Sequence, residues 1–175
     1  ADIDGTGHPE LWIQTQDTLL ISRFDGQWSP PEPEARSIPG TLLTAADLDG
    51  DGQADAVTST GVYLTRSSST TFEPAFGPLG APYTHGIAGQ LEAEPGLDLA
   101  LGQASVGRIE YRLPRGDIFV REAFQVQGEL QALTAGDFDG DGVDDLAFAT
   151  RVDGQSEIQV RLASGPGSIR IFDHP

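Results

Sequence analysis

The stretch AADLDGDGQADAV, residues 45–57, carries aspartates at alternating positions within an otherwise small and apolar segment. Counted from the first aspartate, these acids occupy positions 1, 3, 5 and 9 of a loop: Asp47, Asp49, Asp51 and Asp55. Carboxylates packed this closely repel one another unless a cation or hydrogen-bond donors compensate them. AGDFDGDGVDDLAFA at 135–149 repeats the spacing with Asp137, Asp139, Asp141 and Asp145. A motif that occurs twice in one chain indicates an internal repeat.

The chain aligns with itself at four such loops, which start at Asp2, Asp47, Gln90 and Asp137. The starts are 45, 43 and 47 residues apart. The third loop, QLEAEPGLD, has lost most of its aspartates, yet the second place of every loop stays apolar: Ile3, Leu48, Leu91 and Phe138. A shared framework with decaying acids is typical of a structural repeat, and it predicts repeats at approximately 1–37, 38–80, 81–128 and 129–175.

Each repeat reads as a series of short strands. RIEYRL at 108–113 and EIQVRL at 157–162 alternate between apolar and polar residues, as strands with one buried face do. The 22 glycines and 12 prolines punctuate these runs, and no segment carries a convincing helical stripe. Four strands in every 40 to 45 residues are typical of a β-propeller blade. We therefore predict an all-β fold, a β-propeller of four-stranded blades with about four blades in this chain, as part of a larger ring. A self-contained four-bladed propeller is the alternative.

The first repeat differs because it begins at its loop, whereas the other three have a strand before theirs. Its innermost strand is therefore not among the 175 residues. An unpaired inner edge favours association, so we expect an upstream segment or another chain to complete the ring.

The aspartate loops have the donor set that Ca²⁺ prefers, since this ion takes six to eight oxygen ligands. In each strong loop the acids at positions 1, 3, 5 and 9 would be joined by the backbone carbonyl of position 7, which is Gln53 or Val143. An EF-hand is excluded because Thr58 and Phe148 stand where its position-12 glutamate belongs, and because the flanking segments are β-like. Asp144 lies off the pattern and is predicted to be a surface charge. The alternative is an acidic turn that binds no ion.

The two remaining loops are weaker candidates. DIDGTGHPE at 2–10 predicts a third, weaker site formed by Asp2, Asp4, Thr6, the backbone of His8, and Glu10. QLEAEPGLD at 90–98 has Pro95 where the turn glycine should stand, and we expect no ion there.

The charge balance limits the partners. The chain has 27 acidic residues against ten arginines and no lysine, for a formal net charge of −17. Nucleic acid and anionic membranes attract positive charge, so neither is an expected partner. No apolar run approaches the ~18 residues that span a bilayer. Arg108 and Arg112 are predicted to lie on an exposed, salt-bridged face, with contact to an anion or a partner as the alternative.

The loops resemble those of FG-GAP and VCBS-type repeats, which also form the calcium-bearing blades of integrin α-subunit propellers. The family pattern Asp-x-Asp-Gly-Asp-Gly-x-x-Asp followed by an apolar residue matches at 47–55 and 137–145, and the inner strands LTAADL and LTAGDF match as well. The resemblance implies a propeller, commonly seven-bladed, with calcium in the loop between the first two strands of a blade. It also implies a secreted or cell-surface protein. The chain departs from the pattern because it contains only about four units and because two of its loops lack part of the aspartate pattern.

These features predict a non-enzymatic, calcium-stabilised propeller that serves as an extracellular scaffold, interaction or adhesion module, with a protein or glycan partner. No nucleophile motif is present, and the three histidines, His8, His85 and His174, are scattered. Two alternatives stay open: a carbohydrate-binding, lectin-like propeller, and a non-catalytic propeller segment of a larger secreted enzyme.

Overall fold

The computed structural model describes residues 2, 5–16, 18–34, 37–66, 72–76, 82–94, 96–115, 118–163 and 168–173. Within these residues the chain forms fifteen β-strands and one turn of 3-10 helix at Ala104–Val106. The strands are arranged in four antiparallel sheets, and each sheet is built from strands that follow one another along the chain. The prediction of an all-β fold is thereby confirmed, whereas the arrangement of the sheets as blades of a propeller stays a prediction.

The first two sheets lie in the first half of the chain. The first sheet has three strands: β1 (Glu10–Gln14), β2 (Leu19–Arg23) and β3 (Glu32–Pro33). The second has four: β4 (Leu42–Ala46), β5 (Asp55–Thr58), β6 (Val62–Leu64) and β7 (Glu73–Phe76).

The third and fourth sheets have four strands each. The third contains β8 (His85–Gly89), β9 (Asp98–Gln103), β10 (Arg108–Arg115) and β11 (Ile118–Gln125). The fourth contains β12 (Glu129–Gly136), β13 (Asp145–Val152), β14 (Gln155–Arg161) and β15 (Ser168–Asp173). None of the helical structure in the described chain has the length and apolarity needed to cross a bilayer.

The chain divides into two compact units, Ala1–Pro82 and Tyr83–Pro175, and each has its own apolar core. The core of the first unit consists of Leu19, Ile21, Ala56 and Phe72. That of the second consists of Leu91, Ala100, Ile109, Leu130, Leu146 and Phe148. Most of these residues belong to strands, whereas Leu91 lies in the loop before β9 and Phe72 directly precedes β7.

The loops with acidic residues occupy equivalent places in the sheets. In the second, third and fourth sheets the loop joins the first strand, here called the inner strand, to the second strand. Across this turn Ala46 pairs with Asp55, Gly89 with Asp98, and Gly136 with Asp145. In the first sheet the corresponding loop leads directly into β1. Strand pairing therefore fixes both ends of these three loops, which holds their acidic side chains close together.

The face of β10 that carries Arg108 and Arg112 is salt-bridged, as predicted, but the prediction that it is exposed was wrong. Glu110 lies between the two arginines and is fully buried. Its carboxylate accepts a hydrogen bond from the Tyr83 hydroxyl at 2.5 Å and is 3.1 Å from Arg108 Nη2 and 3.7 Å from Arg112 Nη2. A buried carboxylate needs such partners, so these arginines compensate an internal charge.

Candidate metal centres

The loop at 47–55 is shaped by hydrogen bonds from its own backbone to its aspartates. Asp47 closes the turn: its Oδ1 accepts from the N–H groups of Gly50 (2.8 Å) and Asp51 (3.1 Å), and its Oδ2 accepts from Gly52 (2.9 Å). Gly52 has a φ of 87°, in the left-handed region that favours glycine. The N–H of Asp51 also bonds to Asp49 Oδ1 at 3.2 Å, and Gln53 N–H bonds to Asp51 Oδ1 at 2.9 Å.

Asp55, at position 9, ties the loop to the sheet. Its side chain is fully buried. One carboxylate oxygen accepts from the N–H of Leu48 at 2.9 Å, and the other accepts from the N–H of Thr65, beyond β6, at 2.8 Å. Each oxygen has a second lone pair, so both can still accept a further donor or bind a cation.

The loop at 137–145 has the same seven hydrogen bonds between equivalent atoms. Asp137 accepts from Gly140, Asp141 and Gly142 at 2.6, 3.0 and 3.0 Å. Asp139 and Asp141 accept from Asp141 and Val143 N–H at 3.2 and 2.9 Å. Asp145, which is 1% exposed, accepts from the N–H groups of Phe138 and Ala163 at 3.0 and 2.8 Å. The two loops therefore have one architecture, although they lie in different units.

Three carboxylates converge in each loop: Asp47, Asp49 and Asp55 in one, and Asp137, Asp139 and Asp145 in the other. In each group the ligand oxygens lie within 4.8 Å of one another. Oxygens bound to one Ca²⁺ at 2.3–2.6 Å are separated by distances up to about 5 Å. The donor set therefore fits a single calcium ion. Within the described part of the chain, only these two loops bring three or more acidic, histidine or cysteine side chains together in this way.

The remaining predicted ligands lie beside these groups. Asp51 and Asp141 point their Oδ1 atoms at the backbone two residues further on, and Gln53 Nε2 donates to Asp51 Oδ2 at 3.2 Å. Gln53 is 7% exposed and Val143 is partly buried. Ligation by Asp51, Asp141 and the carbonyls of Gln53 and Val143 stays a prediction.

Burial dominates the protonation of Asp55. Loss of solvent, with smaller contributions from the charges of Asp49 and Asp51, raises the pKa of its carboxyl to about 6, against the lowering effect of the hydrogen bonds from Thr65 and Leu48. Because burial destabilises the ionised carboxylate, a cation bound nearby would stabilise it.

Arg66 supplies a positive charge at the first loop. Its guanidinium forms an ion pair with Asp49 and another with Asp51, 3.2 Å away. These contacts raise the pKa of Arg66, and the hydrogen bond to Asp49 is the largest cause. Arg66 directly follows Thr65, whose N–H is bonded to Asp55, so the backbone holds the arginine beside the loop. In the fourth sheet the residue after Ala163 is a serine, and none of the described arginines pairs with Asp137, Asp139 or Asp145.

The loop at 2–10 retains part of the pattern. Asp2 accepts from the N–H groups of Thr6 and Gly7 at 3.2 and 2.6 Å, as Asp47 does from its own turn. Glu10 is buried and lies 3.1 Å from Arg23 Nε, while His8 is exposed. Asp4 lies outside the described residues. The weaker site therefore stays a prediction.

The loop at 90–98 keeps an aspartate only at position 9, because Gln90, Glu92 and Glu94 stand at positions 1, 3 and 5. Asp98 is 2% exposed and accepts from the N–H of Leu91 at 2.9 Å, as Asp55 does from Leu48. Glu94 is exposed, and Pro95 lies outside the described residues. The acid at position 9 therefore shapes the turn whether or not an ion is present. The sequence analysis did not assign this structural role, although the aspartate that remains at position 9 of this degenerate loop could have indicated it.

Asp144 was predicted to be a surface charge, and this was wrong. Its Oδ2 accepts from the N–H of Gln90 at 2.9 Å, and its own N–H donates to the Gln90 carbonyl at 2.7 Å, so it joins the loops of the third and fourth sheets. In the first unit, the N–H of Ala54 bonds to the Asp2 carbonyl at the equivalent place. The loops thus bind neighbouring sheets together in both units.

The geometry defines an all-β repeat protein with two equivalent acidic loops. Residues 2–58 match the family model of the FG-GAP-like repeat. The resemblance that the loops indicated is confirmed for this segment, which contains the first sheet and the inner half of the second.

The fold is similar to that of a solved structure from another protein. That structure is the crystal structure of Bap1, a biofilm matrix protein of V. cholerae, with a TM-score of 0.57 and 17% sequence identity. The match covers 98% of this chain and 28% of the Bap1 chain, so the chain corresponds to less than a third of that protein. A comparison with curated proteins found no match by sequence.

Proposed function

We propose that the chain is a calcium-stabilised, non-enzymatic module that serves as an extracellular scaffold or adhesion element. The observation that carries the proposal is the pair of loops in which seven identical hydrogen bonds hold three carboxylates within 4.8 Å of one another. Without a cation, such groups repel one another. An extracellular location is supported by the fold that the chain shares with a biofilm matrix protein and by the FG-GAP-like repeat at 2–58.

The proposed ions have a structural role. In each loop the three grouped aspartates would hold Ca²⁺, with the position-5 aspartate and position-7 carbonyl as further ligands: Asp51 and Gln53 in one loop, Asp141 and Val143 in the other. A cation there neutralises the repulsion and fixes the turn between the first two strands of a sheet. Binding to the folded chain alone stabilises it in proportion to the logarithm of ion concentration.

A non-catalytic role is supported by the hydrogen bonds that the grouped aspartates and His85 form within the fold. The grouped aspartates are occupied with backbone N–H groups of their own turns. His85 contacts the Thr84 hydroxyl through Nδ1 at 2.9 Å and the Gln131 carbonyl through Nε2 at 3.1 Å, which places it between β8 and β12. Such residues maintain the fold. Binding of a protein or glycan partner would use surfaces that the sheets support.

Calorimetry of the chain tests the proposal. We expect millimolar calcium to raise the melting temperature relative to the chelated chain, and the double variant Asp49→Ala with Asp139→Ala to lose most of this rise. Magnesium should substitute poorly because it demands a stricter octahedral geometry.

The matched control is Glu94→Ala, which removes an exposed acid from the loop at 90–98, whose described acids do not converge as those of the two strong loops do. This variant should keep the full calcium response. A melting temperature that calcium leaves unchanged in the unmodified chain would overturn the metal role.

A further inference from the structure

The first sheet lacks a strand that the other three sheets possess. In those sheets β5, β9 and β13 are flanked on one side by an inner strand, β4, β8 or β12 respectively. β1 is their equivalent, because each of these four strands follows an acidic loop, yet the described residues place only β2 beside it.

The open side of β1 follows from strand alternation. The Pro9 carbonyl bonds to Phe24 N–H, so odd-numbered residues of β1 direct their backbone groups toward β2. The backbone groups of Trp12 and Gln14 therefore face the other side. Ser59, the equivalent of Gln14, uses that side to donate its N–H to the carbonyl of Thr41, which directly precedes β4. β1 thus presents the edge that is occupied in the complete sheets.

A groove borders this edge. It has a volume of about 430 Å³ and lies between Glu10, Trp12 and Gln14 of β1 and residues 41–45 of the second sheet. The indole Nε1 of Trp12 is buried and has no acceptor among the described residues. An unsatisfied buried donor is costly, so an additional backbone at this groove would stabilise the sheet.

One apolar side chain of the first sheet is also uncovered. Leu11 is 51% exposed, whereas its equivalents Ala56, Leu99 and Leu146 are at most 1% exposed. Leu146 packs with Ala100 and Ile109 of the sheet that precedes its own, and Ala56 packs with Leu19 and Ile21 in the same way. The position of Leu11 is therefore one that a preceding sheet covers.

We propose that the first sheet is the docking site for one further repeat of the same kind, outside residues 1–175. An inner strand pairs antiparallel with β1, and a preceding sheet covers Leu11. The inner strands of the three complete sheets indicate which residue types the added strand should carry. A small residue stands opposite position 9 of the loop (Ala46, Gly89 or Gly136), and a β-branched residue two places earlier (Thr44, Ile87 or Thr134) stands opposite the equivalent of Trp12. The proposal does not depend on calcium.

The strand is tested by adding a copy of residues 130–135, LQALTA, directly before Ala1, so that Ala1 takes the place of Gly136. We expect hydrogen exchange at the amides of Trp12 and Gln14 to slow by roughly tenfold or more, while exchange in β13 stays the same. In the Trp28→Phe background Trp12 is the sole tryptophan, and its fluorescence should shift to the blue. The control carries proline in place of the second leucine and the threonine of the copy, and it should show neither change. Equal exchange in the two extended chains would overturn the proposal.

The covering sheet is tested with a longer addition, a copy of residues 83–135 before Ala1, which supplies a whole repeat and its following inner strand. Because the chain has no cysteine, Leu11→Cys gives a single thiol whose reaction with a maleimide reports exposure. We expect this reaction to slow by roughly tenfold or more in the extended chain. Val106→Cys, at a side chain that is 57% exposed, should react at the same rate in both chains.

An unchanged rate for Leu11→Cys in an extended chain that folds, judged by protection of β13, would overturn the covering sheet. Slow labelling of the 175-residue chain that becomes faster on dilution would show that a second copy covers Leu11. That result would overturn the assignment to a further repeat.

Discussion

Asp55 couples the first loop to pH. Because its pKa is about 6 in the folded chain and its ordinary value is 3.8, the folded state binds a proton that the unfolded chain has released. The stabilisation is therefore complete below about pH 4 and is lost as the pH rises through 6. In the calcium-free chain this carboxyl should make the free energy of unfolding fall over that interval, by up to about 3 kcal/mol.

The prediction is measured by urea denaturation of the calcium-stripped chain between pH 4 and pH 7. Asp55→Asn should flatten the pH dependence of the free energy of unfolding, because the amide does not titrate. The variant loses one of the two backbone hydrogen bonds, since an amide nitrogen cannot accept one. Asp25→Asn, at an exposed aspartate outside the loops, should keep the slope of the unmodified chain. Parallel pH profiles for Asp55→Asn and the unmodified chain would contradict the raised pKa.

Arg66 should make the two loops differ in their affinity for calcium. Its guanidinium compensates Asp49 and Asp51, so an ion that binds there must displace or weaken these pairs. Arg66 is one-third exposed, and pairs of this kind contribute about 1 kcal/mol or less. Arg66→Gln should therefore strengthen calcium binding at the first loop by up to about fivefold.

Titration calorimetry of Arg66→Gln checks this in the Asp139→Ala background, which leaves the first loop as the main site. Arg151→Gln removes the same charge from an exposed position in the fourth sheet and should leave the affinity nearly unchanged. An affinity that falls in Arg66→Gln would mean that the arginine supports ion binding by shaping the loop.

At the level of elements, the loop of one sheet stabilises the inner strand of its neighbour. Gly89, at the end of β8, has no space for a side chain: an added Cβ would lie 2.8 Å from Asp144 Oδ2 and 3.2 Å from Ala135 Cβ. This close approach lets Asp144 reach the N–H of Gln90.

Asp144→Ala should lower the free energy of unfolding by about 1–2 kcal/mol, because the Gln90 N–H loses its acceptor. Asp144→Asn keeps an oxygen in the same place and should cost less than half as much. Urea denaturation of the two variants measures the difference. Equal losses would show that the charge of Asp144, and not its hydrogen bond, stabilises the contact.

The strands and the loops could be predicted from the sequence because both depend on local patterns. Alternation of apolar residues identified β10 and β14, and the spacing of the aspartates identified the loops in which carboxylates converge. Asp144 and Arg66 could not be predicted because their partners are distant in sequence: 54 residues separate Asp144 from Gln90, and 17 separate Arg66 from Asp49. The burial of Glu110 was missed because it depends on packing around the strand, which alternation does not report.

For the whole molecule, the dominant electrostatic quantity is the net charge of −17. Self-repulsion of this size opposes the compact state, and salt screens it. Two calcium ions add four positive charges, so −17 becomes −13, and they add them where carboxylates are most crowded. Calcium and sodium chloride therefore relieve the same repulsion, but calcium also fixes two turns.

We therefore expect the melting temperature of the calcium-free chain to rise steeply between about 20 mM and about 500 mM NaCl, and that of the calcium-loaded chain to rise less. The gap between the two curves should narrow with salt but not close, because ligation of the aspartates holds the loops in place at any ionic strength. Calorimetry over this range in calcium and in chelator provides both curves. If they meet at high salt, calcium acts on this chain only as a screening ion, and the carboxylate groups at Asp47 and Asp137 do not form specific sites.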